Sequence, residues 1–382
     1  MATRLIGSDL LPSLSWGITR DHIVSRFFPL LAMLMVVSLR ADGLAWDYPQ
    51  SYRSIVEAAR QERELIIYSV VHADAAVADL LAAFRQRYPF IHVSNTDGDG
   101  ARTYRRFKRE IAEGRRSADF IWSSAMDLQE KLINDGLSQA YPSPQKPSLP
   151  TWAHWQDLGY GVTQEPIAFV YNSRYLAPDE MPRTHAGLRA LLEKKKDRLA
   201  GRLAVYDPER SEVGMLLLSQ DMRVTRDSWN LFDAFGLVAA RGYSTSRDML
   251  LNIVKGDQWI GYDVIASYAM DMQRTHPELV VVYPDDYVLM LSRVAIITAN
   301  AHHPNSAKLF LDFMLSREGQ TILKNYGMGS VRADIGVPKD QLRINPRRTQ
   351  AIRIGPGLLS GLDSLIRAQF LRRWREARSG RS

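Results

Sequence analysis

A chain of 382 residues, 46% hydrophobic and 24% charged, has room for two domains and the composition of an ordinary globular protein. It contains no cysteine, which excludes disulfides, thiolate metal sites and a cysteine nucleophile. The formal charge of +7 is uneven: residues 1–45 carry four Arg against three Asp, residues 339–382 carry eleven Lys or Arg against three acids, and the body between them is at −2, so the charge gives no nucleic-acid groove.

At the N-terminus, Arg20 and Arg26 precede the 13-residue apolar run Phe27 to Leu39. That length suits a signal-peptide core better than a membrane span, and Gly43 and Ala45 supply small residues at −3 and −1. The expectation is a signal peptide over 1–45, cleaved after Ala45, giving a periplasmic protein. With no cysteine there is no lipid acceptor. Residues 1–19 make a long leader and leave the translation start open.

Further on, apolar strand-like runs alternate with helix-period stripes: 65–69 then 75–87, 119–122 then 125–134, 202–206 then 212–222. This alternation predicts α/β architecture with covered sheets. The seams are rich in hydroxyls. Ser69 and His72 stand between the first strand and helix, and Ser123 and Ser124 between the second pair, with Ser124 and Asp127 spaced as a capping box. Ser211 opens the helix after "VYDP", Ser244 to Ser246 precede another, and Tyr262, Asp263, Ser267 and Tyr268 line a further strand-to-helix passage. Each such residue caps a helix at least as readily as it binds anything. Together they point to a cleft, because ligands of open α/β sheets sit beyond the carboxyl ends of the strands, where helix N-termini favour anions.

Two segments read as bland. "TDGDGARTY" (Thr96 to Tyr104) resembles a fragment of a calcium loop but lacks its later oxygen ligands, so it reads as a turn. Tyr141 to Trp152, with four prolines, reads as an extended surface segment. The adjacent His302 and His303 precede Pro304 at a helix start and point in different directions, so they make no shared metal site. No nucleophile elbow, zinc-protease helix, phosphate loop or dinucleotide fingerprint occurs, which leaves no enzyme reading and no cofactor. In the C-terminal segment, Leu362, Leu365, Ile366, Phe370, Leu371 and Trp374 share one helix face, predicting a docking helix with a solvated basic side.

"ELIIYSVVHADAA", "SADFIWSSAMDLQEKLINDG", "GDQWIGYDVIASYA" and the run from Arg293 to Leu323, in this order and spacing, resemble the periplasmic solute-binding proteins of ABC importers, in the branch that includes ferric-iron and phosphosugar binders. The likeness covers roughly Leu65 to Met328. It implies a two-lobed type II periplasmic-binding-protein fold closing on ligand like a hinged clamp. The lobes are expected at 46–165 and 166–285, with 286–382 returning to lobe 1 and carrying the basic helix. The ferric branch holds its metal with a His, a Glu and a Tyr-Tyr pair. His72 matches the first, Ser124 stands where the Glu falls, and Ile265 and Ala266 stand where the pair falls, with Tyr268 nearby. A small phosphate- or carboxylate-bearing solute is the better expectation, with Arg293 near the returning strand as a bidentate partner. The expected ligand set is Ser69, His72, Ser123, Ser124, Ser211, Tyr262, Asp263, Tyr268 and Arg293; His72 and Tyr268 would serve iron. The implied partner is an inner-membrane permease or, alternatively, a sensor kinase, and the chain is read as a monomer.

Overall fold

A computed structural model describes residues 52–71 and 74–379. The signal-peptide reading of 1–45, and His72, lie outside the described residues.

The described chain opens with α1 (Tyr52–Glu62), β1 (Glu64–Val70), α2 (Asp74–Arg87), β2 (His92–Asp97), α3 (Gly100–Ala112), β3 (Phe120–Ser123), α4 (Met126–Asn134), β4 (His154–Trp155) and β5 (Gly159–Gly161). It continues through β6 (Glu165–Asn172), α5 (His185–Lys194), α6 (Lys196–Leu199), β7 (Leu203–Tyr206), α7 (Glu212–Val224), α8 (Ser228–Leu237), β8 (Arg241–Tyr243), α9 (Ser246–Lys255), β9 (Ile260–Ile265), α10 (Ala266–Gln273), β10 (Leu279–Val282) and β11 (Val288–Leu291). Last come β12 (Val294–Ile297), α11 (Pro304–Leu315), α12 (Arg317–Asn325), β13 (Thr349–Ala351) and α13 (Ser364–Arg378). The three alternations read from the sequence are β1–α2, β3–α4 and β7–α7.

Two sheets form. The first has the order β2-β1-β3-β12-β5-β4; the second has the order β13-β11-β6-β9-β7-β8, with β10 also pairing with β6. In each, parallel strands continue into helices at their carboxyl ends, and one strand returning from elsewhere in the chain runs antiparallel to them: β12 against β3, β6 against β9. β1 and β3 are continuous apolar runs because both faces are covered. Phe310 of α11 packs edge-on against Phe84 of α2 at 5.1 Å and against Phe120 of β3 at 5.0 Å, and all three rings are fully buried. Each such ring contributes about 1.5–3 kcal/mol of burial, which fixes the helices on the sheet and so fixes where their N-termini point.

The chain passes between the sheets at residues 162–164, from β5 to β6, and at 292–293, from β11 to β12. Val162 N–H donates to the Arg293 carbonyl at 2.9 Å, so the two crossings lie side by side as a hinge. The expected return of 286–382 to the first lobe needs correction. Residues 288–291 still belong to the second sheet, and β13 pairs with β11 there. Ile354 N–H then donates to the Trp152 carbonyl in the first lobe at 3.0 Å, and residues 356–362 pack on α4. Finally α13 packs on α8 of the second lobe through Phe370, Trp374 and Ala377. The docking helix is present, and its basic side is paired in part: Arg367 lies 3.0 Å from Glu212 and Arg373 2.6 Å from Asp233, while Arg372 and Arg375 are exposed. Leu365 and Ile366, placed on the docking face by periodicity, are 66% and 49% exposed. Tyr141–Trp152, read as an extended surface segment, is broken by short 3-10 turns and tied to the first lobe. The Tyr141 hydroxyl donates to Asp312 at 2.6 Å and Ser143 donates to the same carboxylate at 2.5 Å.

Candidate ligand-binding cleft

Between the sheets lies a narrow cleft of 60 Å³. Lobe 1 contributes Val70, Asp99, Gly100, Ala101, Ser124 and Ala125; lobe 2 contributes Tyr206, Arg210, Ser211, Glu212, Thr245 and Tyr268. The helices α3, α4, α7, α9 and α10 all start at or beside these residues. A side chain caps three of them. Asp99 accepts from Arg102 N–H at 2.8 Å, Ser211 from Gly214 N–H at 3.1 Å and Thr245 from Asp248 N–H at 3.0 Å. Each cap satisfies the third amide of its helix. The first two have no acceptor within their own helix, so α3 and α7 present those of Gly100, Ala101, Glu212 and Val213 at the cleft.

The acidic lining groups are already engaged: Asp99 by its cap and Glu212 by Arg367. Ser124 is 5% exposed, and its hydroxyl makes no protein hydrogen bond among the described residues. It is not the cap expected for α4. Ala125 holds the cap position without a side-chain bond, Ser123 accepts from Ala125 N–H at 3.1 Å, and Asp127 bonds Leu128 N–H at 2.9 Å. On the rim, Arg210 has a 62% exposed side chain, 3.2 Å from Asp207.

Of the expected ligand set, the cleft brings together Ser124, Ser211 and Tyr268. Ser69 is fully buried and donates to Asp97 at 2.9 Å, and Ser123 serves the start of α4. Tyr262 and Asp263 belong to the interior of lobe 2. Tyr262 donates to Asp221 at 2.6 Å, and Tyr287 donates to the same carboxylate at 2.8 Å. Asp263 has a φ of 57°, and burial together with the neighbouring Asp221 pushes its carboxyl far above the usual range. Arg293, expected to face an anion, has a fully buried side chain whose Nε and Nη2 bind Glu165 at 2.9 and 3.1 Å, forming an internal ion pair.

Tyr268 separates the cleft from a larger opening of 510 Å³ lined by Ala75, Ala76, Arg247, Arg274, His276 and Tyr326, among others. Its hydroxyl donates to the Val71 carbonyl and accepts from Arg293 Nη2 at 2.8 Å. Burial raises its pKa above the ordinary phenol value although Arg293 opposes the shift, which disfavours the phenolate that a ferric ion requires. Among the described residues no group of three or more His, Cys, Asp or Glu is placed to hold a metal.

Sequence reading missed Asp99–Ala101, Tyr206 and Arg210, whereas Thr245 belongs to the Ser244–Ser246 seam already read as a helix start. The signal for the first was Asp99, a residue able to cap, at a strand-to-helix seam, the kind of position at which Ser211 was singled out.

Two α/β lobes, two crossing strands and a cleft ringed by helix N-termini define a type II periplasmic binding protein. The chain belongs to the bacterial extracellular solute-binding proteins, whose family model matches residues 65–329. It is similar to the substrate-binding protein of an ABC transporter from Agrobacterium tumefaciens, with 32% identity, a TM-score of 0.77 and coverage of 83% of this chain and 94% of that one. The same fold occurs in AfuA of Actinobacillus pleuropneumoniae, solved with fructose-6-phosphate, at 18% identity and TM-score 0.64 over 82% of this chain and 98% of that one. It also occurs in iron-bound HitA of Pseudomonas aeruginosa, at 16% identity and TM-score 0.66 over 82% of this chain and 99% of that one. Comparison with curated proteins gives no match. Proteins of this family are periplasmic in bacteria, bind small solutes for a membrane permease and are not enzymes. Among the described residues no helix is long and apolar enough to cross a membrane.

Proposed function

We propose that this protein captures a small anionic solute, carrying a phosphate or carboxylate, and delivers it to an ABC permease. The observation that carries the reading is the convergence of helix N-termini from both lobes on one cleft whose acidic side chains are already engaged. Dipoles and unpaired amides then offer a site for negative charge with Ser124 as the uncommitted hydroxyl and Arg210 at the mouth. Arg210 replaces Arg293 as the candidate cation. The fructose-6-phosphate complex of AfuA, a protein of the same fold, is consistent with such a ligand.

The test is mass spectrometry of small molecules retained by protein purified from the periplasm, followed by titration calorimetry with the retained compound. Ser124→Ala is expected to weaken binding roughly ten- to a hundred-fold, the value of one hydrogen bond to a charged group. Its melting temperature should barely move, because Ser124 caps nothing. A neutral or cationic retained solute would refute the proposal. So would a visible charge-transfer band on titration with ferric citrate that is lost in Tyr268→Phe.

A further inference from the structure

Arg293 lies between β11 and β12, and Glu165 opens β6, so both sit where the chain crosses between lobes. Their two-point ion pair is fully buried, and Glu165 also accepts from Thr163 at 2.9 Å and Ser267 at 2.6 Å. A pair anchored on the two crossing strands stays with the hinge when the lobes part. The bonds that must break are others. Arg293 Nη1 donates to the Val70 carbonyl at 2.6 Å, at the end of β1 in lobe 1. Arg293 Nη2 donates to the hydroxyl of Tyr268, in the first turn of α10 in lobe 2. That hydroxyl donates in turn to the Val71 carbonyl, closing a chain from hinge to lobe 2 to lobe 1. The Arg293 guanidinium carbon also sits 5.4 Å from the Tyr268 ring centroid, within cation–π range.

We propose that Tyr268 and Arg293 form a latch that holds the lobes closed, with Tyr268 acting as a positioning residue and not as a ligand to the solute's charge or to a metal. Arg293 is kept ready by Glu165 in both states, and Tyr268 is the moving part. Opening strands a guanidinium N–H and a phenol hydroxyl that were paired in the closed form. The ring of Tyr268 borders both the narrow cleft and the larger opening, so a solute that fills either side packs against the latch itself. This inference rests on the clamp reading of the fold and is independent of the solute's charge.

The experiment uses no solute. The chain has no cysteine, so Ala78→Cys on α2 and Lys255→Cys on α9, both exposed, provide a unique pair of spin labels. The two sites lie about one turn beyond Ala75 and Leu251, which line the same opening from opposite lobes. Pulsed electron–electron distance measurements on the mature protein should show a predominantly short distance. Tyr268→Phe, which removes one oxygen atom and keeps the ring, should shift the closed-to-open ratio about ten-fold toward open. Arg293→Lys should act in the same direction, since three donors on one nitrogen cannot replace four bonds made by three separate guanidinium nitrogens. Should that variant fail to fold, Tyr268→Phe decides alone. An unchanged distance distribution in Tyr268→Phe, or a parent protein already open, would overturn the latch. Neither result bears on whether the solute is an anion.

Discussion

Replacing Glu165 by Gln tests what the buried ion pair does for the fold. The carboxylate accepts four hydrogen bonds, from Arg293 Nε and Nη2, Thr163 and Ser267, and neither it nor the guanidinium has any exposed side-chain surface. The amide of Gln keeps one acceptor and turns the other into a donor; the hydroxyl on that side can rotate to accept, but the guanidinium N–H cannot, so one of the four bonds becomes donor against donor. The guanidinium is then left buried without a counter-charge. Breaking a buried pair in this way costs about 3–5 kcal/mol, and the donor clash places this case in the upper part of that range. The double variant Glu165→Leu with Arg293→Met removes both charges, and part of the loss should be recovered because no charge is left buried alone, although the Val70 carbonyl and the hydroxyls of Thr163, Ser267 and Tyr268 lose a partner. Urea unfolding followed by circular dichroism on parent, single and double variants completes the comparison. A single-variant loss below about 1 kcal/mol, or a double variant as unstable as the single, would refute the claim that the pair is a mutually dependent hinge element.

Two further outcomes follow from buried carboxyls and from the packing of the C-terminal helix. Burial pushes the carboxyls of Asp127, with the Glu212 charge adding, and of Glu130 up to about 7. Their folded pKa values lie above the unfolded ones near 4, so the native state holds protons across roughly pH 4–7 and loses stability as pH rises through that window. Melting temperature should therefore be higher at pH 5 than at pH 7.5, and Asp127→Asn should flatten the difference; a parent more stable at pH 7.5 would count against this. At the docked C-terminal helix, a Cβ on Gly236 would lie 1.9 Å from the Ala377 carbonyl oxygen, so Gly236→Ala should displace α13. Released Trp374 would shift its fluorescence to the red and open the segment after residue 355 to limited proteolysis; an unshifted spectrum would mean that α8 can yield.

How much was legible followed from how far apart the partners are. β1–α2, β3–α4 and β7–α7 announce themselves because each carries its own period and its own polar seam. The caps at Ser211 and Thr245 are likewise local, with donor and acceptor three residues apart. Arg293 was misread because a lone Arg beside a strand looks free, while its partner Glu165 lies 128 positions away. Tyr262 and Asp263 look like seam residues in "GYDVIAS", yet their side chains meet an aspartate of α7 instead of the cleft. The crossing of the C-terminal segment back to the second sheet had no signal to find: β13 is three residues, Thr349–Ala351, without alternation.

The same contrast explains why the cleft is only half visible in side-chain chemistry. Caps occupy the third amide of α3, α7 and α9, and the groups left for a solute are backbone N–H groups of residues such as Gly100, Ala101 and Val213, whose side chains advertise nothing. Binding should then depend on how closely these N-termini approach one another as well as on any hydroxyl. Gly100 sets one such approach, since a Cβ there would stand 3.0 Å from the Ala125 Cβ at the start of α4. Gly100→Ala removes no hydrogen-bonding group, but it forces the starts of α3 and α4 apart by a few tenths of an ångström. Away from the cleft little changes, so the melting temperature should fall only slightly. Affinity for the retained solute should fall about ten-fold, because charge-assisted bonds depend steeply on distance and angle. If Gly100→Ala binds as tightly as the parent while Ser124→Ala does not, the hydroxyl carries recognition and the converging amides only line the wall.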